Sequence, residues 1–135
     1  MKQPALSLIL TGLLATALVF AEGSGAQRAA WFSPAQAQRG QALVFQQCAG
    51  CHGARLEGRY GPLLSGPRFL SKWGGRSAQE LRTYIASRMP LGRAGTLSEA
   101  QTLDLVAYIL QANGYPSGGQ ELKPDSLPQI ELTKP

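Results

Sequence analysis

This sequence predicts an all-α fold built on three main helices, and three observations carry that reading. Ser-x-x-Glu/Gln boxes stand at Ser33, Ser77 and Ser98. In such a box the serine side chain accepts a bond from the amide three residues on, and the acidic or amide side chain there reaches back. Behind the last two boxes apolar residues recur at helical spacing, and no segment reads as a strand.

Taken in order, the chain first shows Lys2 and then an almost continuous apolar run, Ala5–Phe20. With small residues at Val19 and Ala21, this reads as an export signal over residues 1–21. Ala26 and Ala37 are alternative cleavage points, and an uncleaved membrane tether is the competing reading, although the run is short of the ~20 residues a span needs. Residues 22–32 read as a linker. The first helix is expected over Pro34–Gln47, with Pro34 at the first helical position, where its missing N–H costs nothing. Between Gly53 and Gly75 glycine, proline and basic residues imply loop, with one short helix near Arg68–Lys72. The second helix is expected over Ala78–Arg88, with Leu81, Tyr84 and Ile85 on its apolar face. Pro90 stops it and pushes Met89 onto extended backbone. The third runs over Glu99–Asn113 with Leu103, Val106, Ala107 and Leu110 on one face, and Gly114 closes it as a left-handed cap. The domain is expected over 33–116, and residues 117–135 as an irregular tail, on the surface or disordered.

At 135 residues this is one domain plus accessories. Domains of this size often lean on a cofactor for stability. Between Pro34 and Pro116 there are nine basic and four acidic side chains, a net of +5. Such a surface favours acidic partners. Nucleic acid is not indicated, because there is no basic run and the aromatics are not interleaved with the charges.

The chemistry sits in Cys48-Ala-Gly-Cys51-His52, the attachment signature of haem c. Two thiols three positions apart reach the two vinyl groups on one porphyrin edge, and the adjacent histidine falls under the iron. Competing readings fit less well. A redox disulfide belongs beside a βαβ pattern, a structural zinc needs four ligands, and a plain disulfide leaves His52 unexplained. His52 is the only histidine, and Met89 is the only methionine besides Met1. Met/His is a standard electron-transfer ligand pair, so His52 and Met89 are the expected iron ligands. Met89 as a core gap-filler is the alternative.

These motifs resemble the bacterial class I, monohaem cytochromes c over roughly Ser33 to Gly114. The resemblance rests on Cys48–Gly53, Gly61-Pro62-Leu63-Leu64, Arg88-Met89-Pro90 and Leu105–Leu110. It implies that Gly40 and Phe45 cross the last helix near Leu105 and Tyr108, and that the Pro62 carbonyl binds the other ring nitrogen of the proximal histidine. Partly buried haem propionates need polar partners; Trp73 and Arg76 are candidates, with Lys72 and Arg68 behind them, and Trp73 equally suits a core position. Phe69–Ser77 and Ile109–Gly114 are similar to segments of cytochromes associated with quinoprotein alcohol dehydrogenases. The expected function is therefore periplasmic one-electron transfer through a single covalent haem c and its iron. A periplasmic dehydrogenase is the expected donor, and an oxidase or another cytochrome the acceptor. A permanent subunit of a dehydrogenase complex is the alternative, and an open-iron enzyme or gas binder is disfavoured because no second histidine remains.

Overall fold

The computed structural model describes residues 29–133. The expected signal, residues 1–21, and most of the expected linker lie outside them. Helix α1 spans Pro34–Leu43. It continues through a π-helical turn, Val44–Cys48, into α2, Ala49–His52. Helix α3 spans Gly66–Trp73, α4 Ala78–Arg88 and α5 Glu99–Ala112. A 3-10 helix, Pro124–Gln129, follows near the C-terminus. Pairing of the β type among the described residues is confined to two isolated bridges, Phe32 with Ser117 and Ser77 with Glu131.

The caps explain where the helices start. At Ser77 and Ser98 both halves of the box form, with Glu80 and Gln101 reaching back to the serine amides. Each such cap is worth about 1 kcal/mol. At Ser33 only half forms. Ser33 accepts from the Gln36 amide at 3.0 Å, but the Gln36 side chain is buried and clasps Leu122 through both its amide groups, at 3.1 and 2.6 Å. A buried amide must satisfy donor and acceptor together, and the Leu122 backbone offers both.

Helices α1 and α5 cross at Gly40, where an added Cβ would strike the Asp104 carbonyl and lie 2.9 Å from the Tyr108 Cβ. Only glycine lets the two backbones approach this closely. Val44, one α-helical turn after Gly40, is 1% exposed, whereas Phe45 is 74% exposed. The expected Phe45 contact is therefore corrected. At 100° per residue, position 45 lies far around the helix from Gly40, while position 44 stays on its face. Arg39 ties the crossing together, pairing with Asp104 at 2.9 and 3.0 Å and with Glu121 at 2.8 Å. Those two carboxylates push its guanidinium pKa up.

Helix α5 is buried from Thr102 through Leu110, on all sides rather than on one face. Side chains of α1, α4 and the C-terminal segment all join the single apolar cluster that encloses it. Leu122, Leu127, Ile130 and Leu132 are each at most 2% exposed. The segment 117–133 is thus part of the core, and so is Phe32, at 0% exposed. The expected boundaries at 33 and 116 cut through packed structure. At the end of α5, Asn113 donates to the carbonyls of Leu64 and Ile109 and accepts from the Gly66 amide. This side chain anchors the 53–65 loop to the helix bundle.

Candidate haem site

The continuous helix from Pro34 to His52 delivers the Cys-x-x-Cys-His run as its last turns. In the π turn the Ala49 amide bonds the Val44 carbonyl five residues back. Such widened turns recur at functional sites. Cys48 is half-buried, Cys51 is exposed, and both are free thiols. Burial pushes the Cys48 thiol pKa up, and the nearby Arg93 charge acts in the opposite direction.

Beyond His52 the chain folds back over its own motif. The Cys51 carbonyl accepts from the amides of Arg59 and Gly61, and the His52 carbonyl from that of Gly58. Leu56, buried and at φ 63°, seals the turn. This return places the Pro62 carbonyl 2.8 Å from His52 Nδ1. A carbonyl can only accept, so Nδ1 carries the proton and Nε2 presents its lone pair. Gly61 makes room for the ring, since a Cβ there would lie 3.0 Å from Cε1. His52 itself is 9% exposed.

Met89 ends α4 with φ −120° and ψ 153°. It is half-buried and packs against the same core cluster as Cys48. The loop after it carries Arg93, whose charge opposes the upward shift of the Cys48 thiol. A second cluster surrounds Trp73, which is 4% exposed. Tyr84 meets it edge-on at 5.4 Å, the Arg76 guanidinium lies over it at 5.3 Å, and the Lys72 ammonium at 5.8 Å. Arg68, on the first turn of α3, takes no part in these cation–aromatic contacts. Sequence reasoning quoted Gly61 in a motif without giving it a role and gave Asn113 and Arg93 no site role; these last two act through the tertiary fold.

The donor set fits a covalent haem. Two free thiols precede a histidine whose Nε2 is left free by its Nδ1 bond, which is how metal-binding histidines are held. The Trp73 indole N–H, although buried, has no acceptor among the described residues, and Arg76 joins no ion pair there. Both are donors suited to a carboxylate. Among the described residues no three of His, Cys, Asp or Glu converge as a bare metal ion would need. Fold and site together define a c-type cytochrome.

Comparison with known proteins gives the same class. The family described as cytochrome c oxidase, cbb3-type, subunit III matches residues 35–109, and the chain belongs to it. The chain is 28% identical over 96 residues to a thiosulfate dehydrogenase of Psychrobacter arcticus, covering 65% of this chain and 29% of that protein. It is 43% identical over 75 residues to the dihydro-heme d1 dehydrogenase of Pseudomonas aeruginosa, covering 54% and 15%. The chain thus spans less than a third of these curated relatives. A chain in the crystal structure of the sulfane dehydrogenase SoxCD from Paracoccus pantotrophus superposes with a TM-score of 0.60 and 30% identity, covering 71% of this chain and 52% of that one. The protein is an all-α cytochrome c that carries haem c and its iron and serves electron transfer.

Proposed function

We propose that the haem is held by thioethers at Cys48 and Cys51, with His52 Nε2 and the Met89 sulfur as the two axial ligands, and that the chain shuttles single electrons between periplasmic redox proteins. The observation that carries this reading is the His52 Nδ1–Pro62 bond inside the same turn as both cysteines. It fixes the tautomer and aims Nε2 before any iron arrives. When bound, the haem supplies an iron that alternates between ferric and ferrous states. With His52 and Met89 both engaged, the bound group would offer a small substrate no free ligand position, and the chain would serve electron transfer rather than substrate chemistry. The Trp73 indole and the Arg76 guanidinium hold the propionates.

Export by residues 1–21 places the carrier in the periplasm, and no helix among the described residues is long and apolar enough to cross a membrane. A dehydrogenase is its donor, and an oxidase or another cytochrome its acceptor. The names of the relatives favour a dehydrogenase at the donor end, and their greater length supports a second reading, permanent assembly with one. Co-purification with a dehydrogenase that survives high salt selects that reading; separation on raising salt selects the free shuttle.

Met89→Ala tests the ligand set. The variant keeps its haem, loses the ferric Met–iron charge-transfer band and falls in reduction potential. A wild-type protein without that band at neutral pH contradicts the assignment.

A further inference from the structure

The C-terminal segment is bonded at two separated places. Near Leu122 it is held to the start of α1 by the Gln36 clasp and by the Arg39–Glu121 pair. Near its end, residues 130–132 pair with the short connector between α3 and α4. The Ala78 amide donates to the Ile130 carbonyl at 2.8 Å, the Gly75 amide to the Leu132 carbonyl at 2.9 Å, and the Leu132 amide to the Arg76 carbonyl at 2.8 Å. Ile130 and Leu132 are each 1% exposed, so side chains and backbone act together. The Tyr115 hydroxyl, just beyond the end of α5, steadies the same strip. It donates to the Glu131 carbonyl at 2.6 Å and accepts from the Thr133 amide at 2.8 Å.

What this strip grips is a connector poorly able to hold its own shape. Gly74 and Gly75 are adjacent, and Gly75 has φ +78°. Adjacent glycines give the unfolded chain the largest backbone freedom, so fixing them costs the most entropy on folding. Yet Trp73, just before the glycines, and Arg76, just after them, carry donors that find no acceptor side chain among the described residues. The Arg76 backbone bonds the Trp73 carbonyl at 3.1 Å, and its guanidinium lies over the indole. The bond from the Leu132 amide falls on Arg76 itself.

We propose that residues 130–132 are a positioning clamp: by pairing with Gly75–Ala78 they hold Arg76 and Trp73 at the haem carboxylates and thereby set the reduction potential. The proposal rests on the reading of Trp73 and Arg76 given above. Its physical basis is that a fixed cation beside the haem disfavours the more positive ferric state. A cation free to swing into solvent is screened and does so less. Leu132 is a positioning residue, acting through Arg76.

The test uses the full-length holoprotein, with the midpoint potential read by spectroelectrochemistry and the Met–iron band recorded alongside. Arg76→Ala and Trp73→Phe lower the potential directly. Leu132→Pro removes the amide that bonds Arg76. It lowers the potential in the same direction by a smaller amount, with the Met–iron band unchanged. Combined with Arg76→Ala it adds less than it does alone, as coupled residues require. Tyr115→Phe keeps the buried ring and loosens the strip, so it reports the same downward shift should Leu132→Pro fail to mature. A potential unmoved by both Leu132→Pro and Tyr115→Phe, while Arg76→Ala lowers it, overturns the clamp and leaves the carboxylate reading standing. Potentials unmoved by Arg76→Ala and Trp73→Phe overturn that reading, and the clamp with it.

Discussion

The α1–α5 crossing and the turn around His52 are made by one continuous helix and treat their polar groups in opposite ways. At the crossing, charge is consumed internally. Arg39 is shared between Asp104 and Glu121, and nearby, where α4 meets the start of α5, Arg82 pairs with Glu99. Around the turn, Arg55, Arg59 and Arg93 join no ion pair among the described residues. Exposed apolar side chains follow the same division. Phe45, Tyr60 and Leu91 are 74%, 88% and 83% exposed, and they sit on the π turn, the return loop and the loop after Met89. The lesson is that a fold can complete one end by itself and leave the other to be completed by a cofactor and a partner.

The sharpest way to break this contrast is at Gly40. Gly40→Leu drives a side chain into the Asp104 backbone, and little or no holoprotein accumulates. Even Gly40→Ala costs about 3 kcal/mol or more, read as a lower denaturation midpoint with the spectrum of the remaining holoprotein unchanged. Asn113→Ala comes next. It strands the Gly66 amide and the Leu64 carbonyl, costs about 2 kcal/mol, and loosens the loop that carries Pro62, seen as faster amide exchange across 58–66. At the open end, Arg59→Glu with Arg93→Glu leaves the melting temperature within about 2 °C of wild type, since neither residue joins an ion pair among the described residues and the Arg59 contact over the Tyr60 ring is exposed. The same pair slows electron exchange with an acidic partner about tenfold or more at low salt, and added salt narrows the gap.

The smallest effect belongs to Glu57. Its carboxyl is held below the usual carboxylate range, first by its own backbone amide and then by that of Arg55. A depressed folded-state pKa favours folding above the unfolded value and loses that contribution as pH falls through the folded one. Glu57→Gln therefore flattens the acid side of the stability profile slightly, between about pH 5 and pH 2, as thermal melts across that range would record.

The helical frame was legible because its signals are local. Ser77 and Ser98 form their full caps, α4 runs over Ala78–Arg88 as expected, and Gly114 closes α5 at φ +80°. The candidate site residues could be named for the same reason, because the proposed attachment and ligand positions lie in five consecutive residues, Cys48–His52, and one Met-Pro pair. What stayed hidden was long-range. Gln36 leaves its own cap for a backbone 86 positions away, a choice no local pattern encodes. Leu122, Leu127, Ile130 and Leu132 sit among prolines and charges that mimic a loose tail, and only the packed core shows where their side chains go. Phe45 was misplaced by a single position, enough in a helix to move it from the buried face to solvent.

The account stands on haem being bonded to the polypeptide at Cys48 and Cys51, and one measurement reaches it directly. Trypsin cuts after Arg39 and Arg55, releasing the peptide Gly40–Arg55 with both cysteines and His52. Mass spectrometry of the matured protein should find that peptide heavier by one haem, with neither thiol open to alkylation. Recovery of the same peptide without added mass, both cysteines alkylated and the pigment extracted into acidified organic solvent, would contradict it.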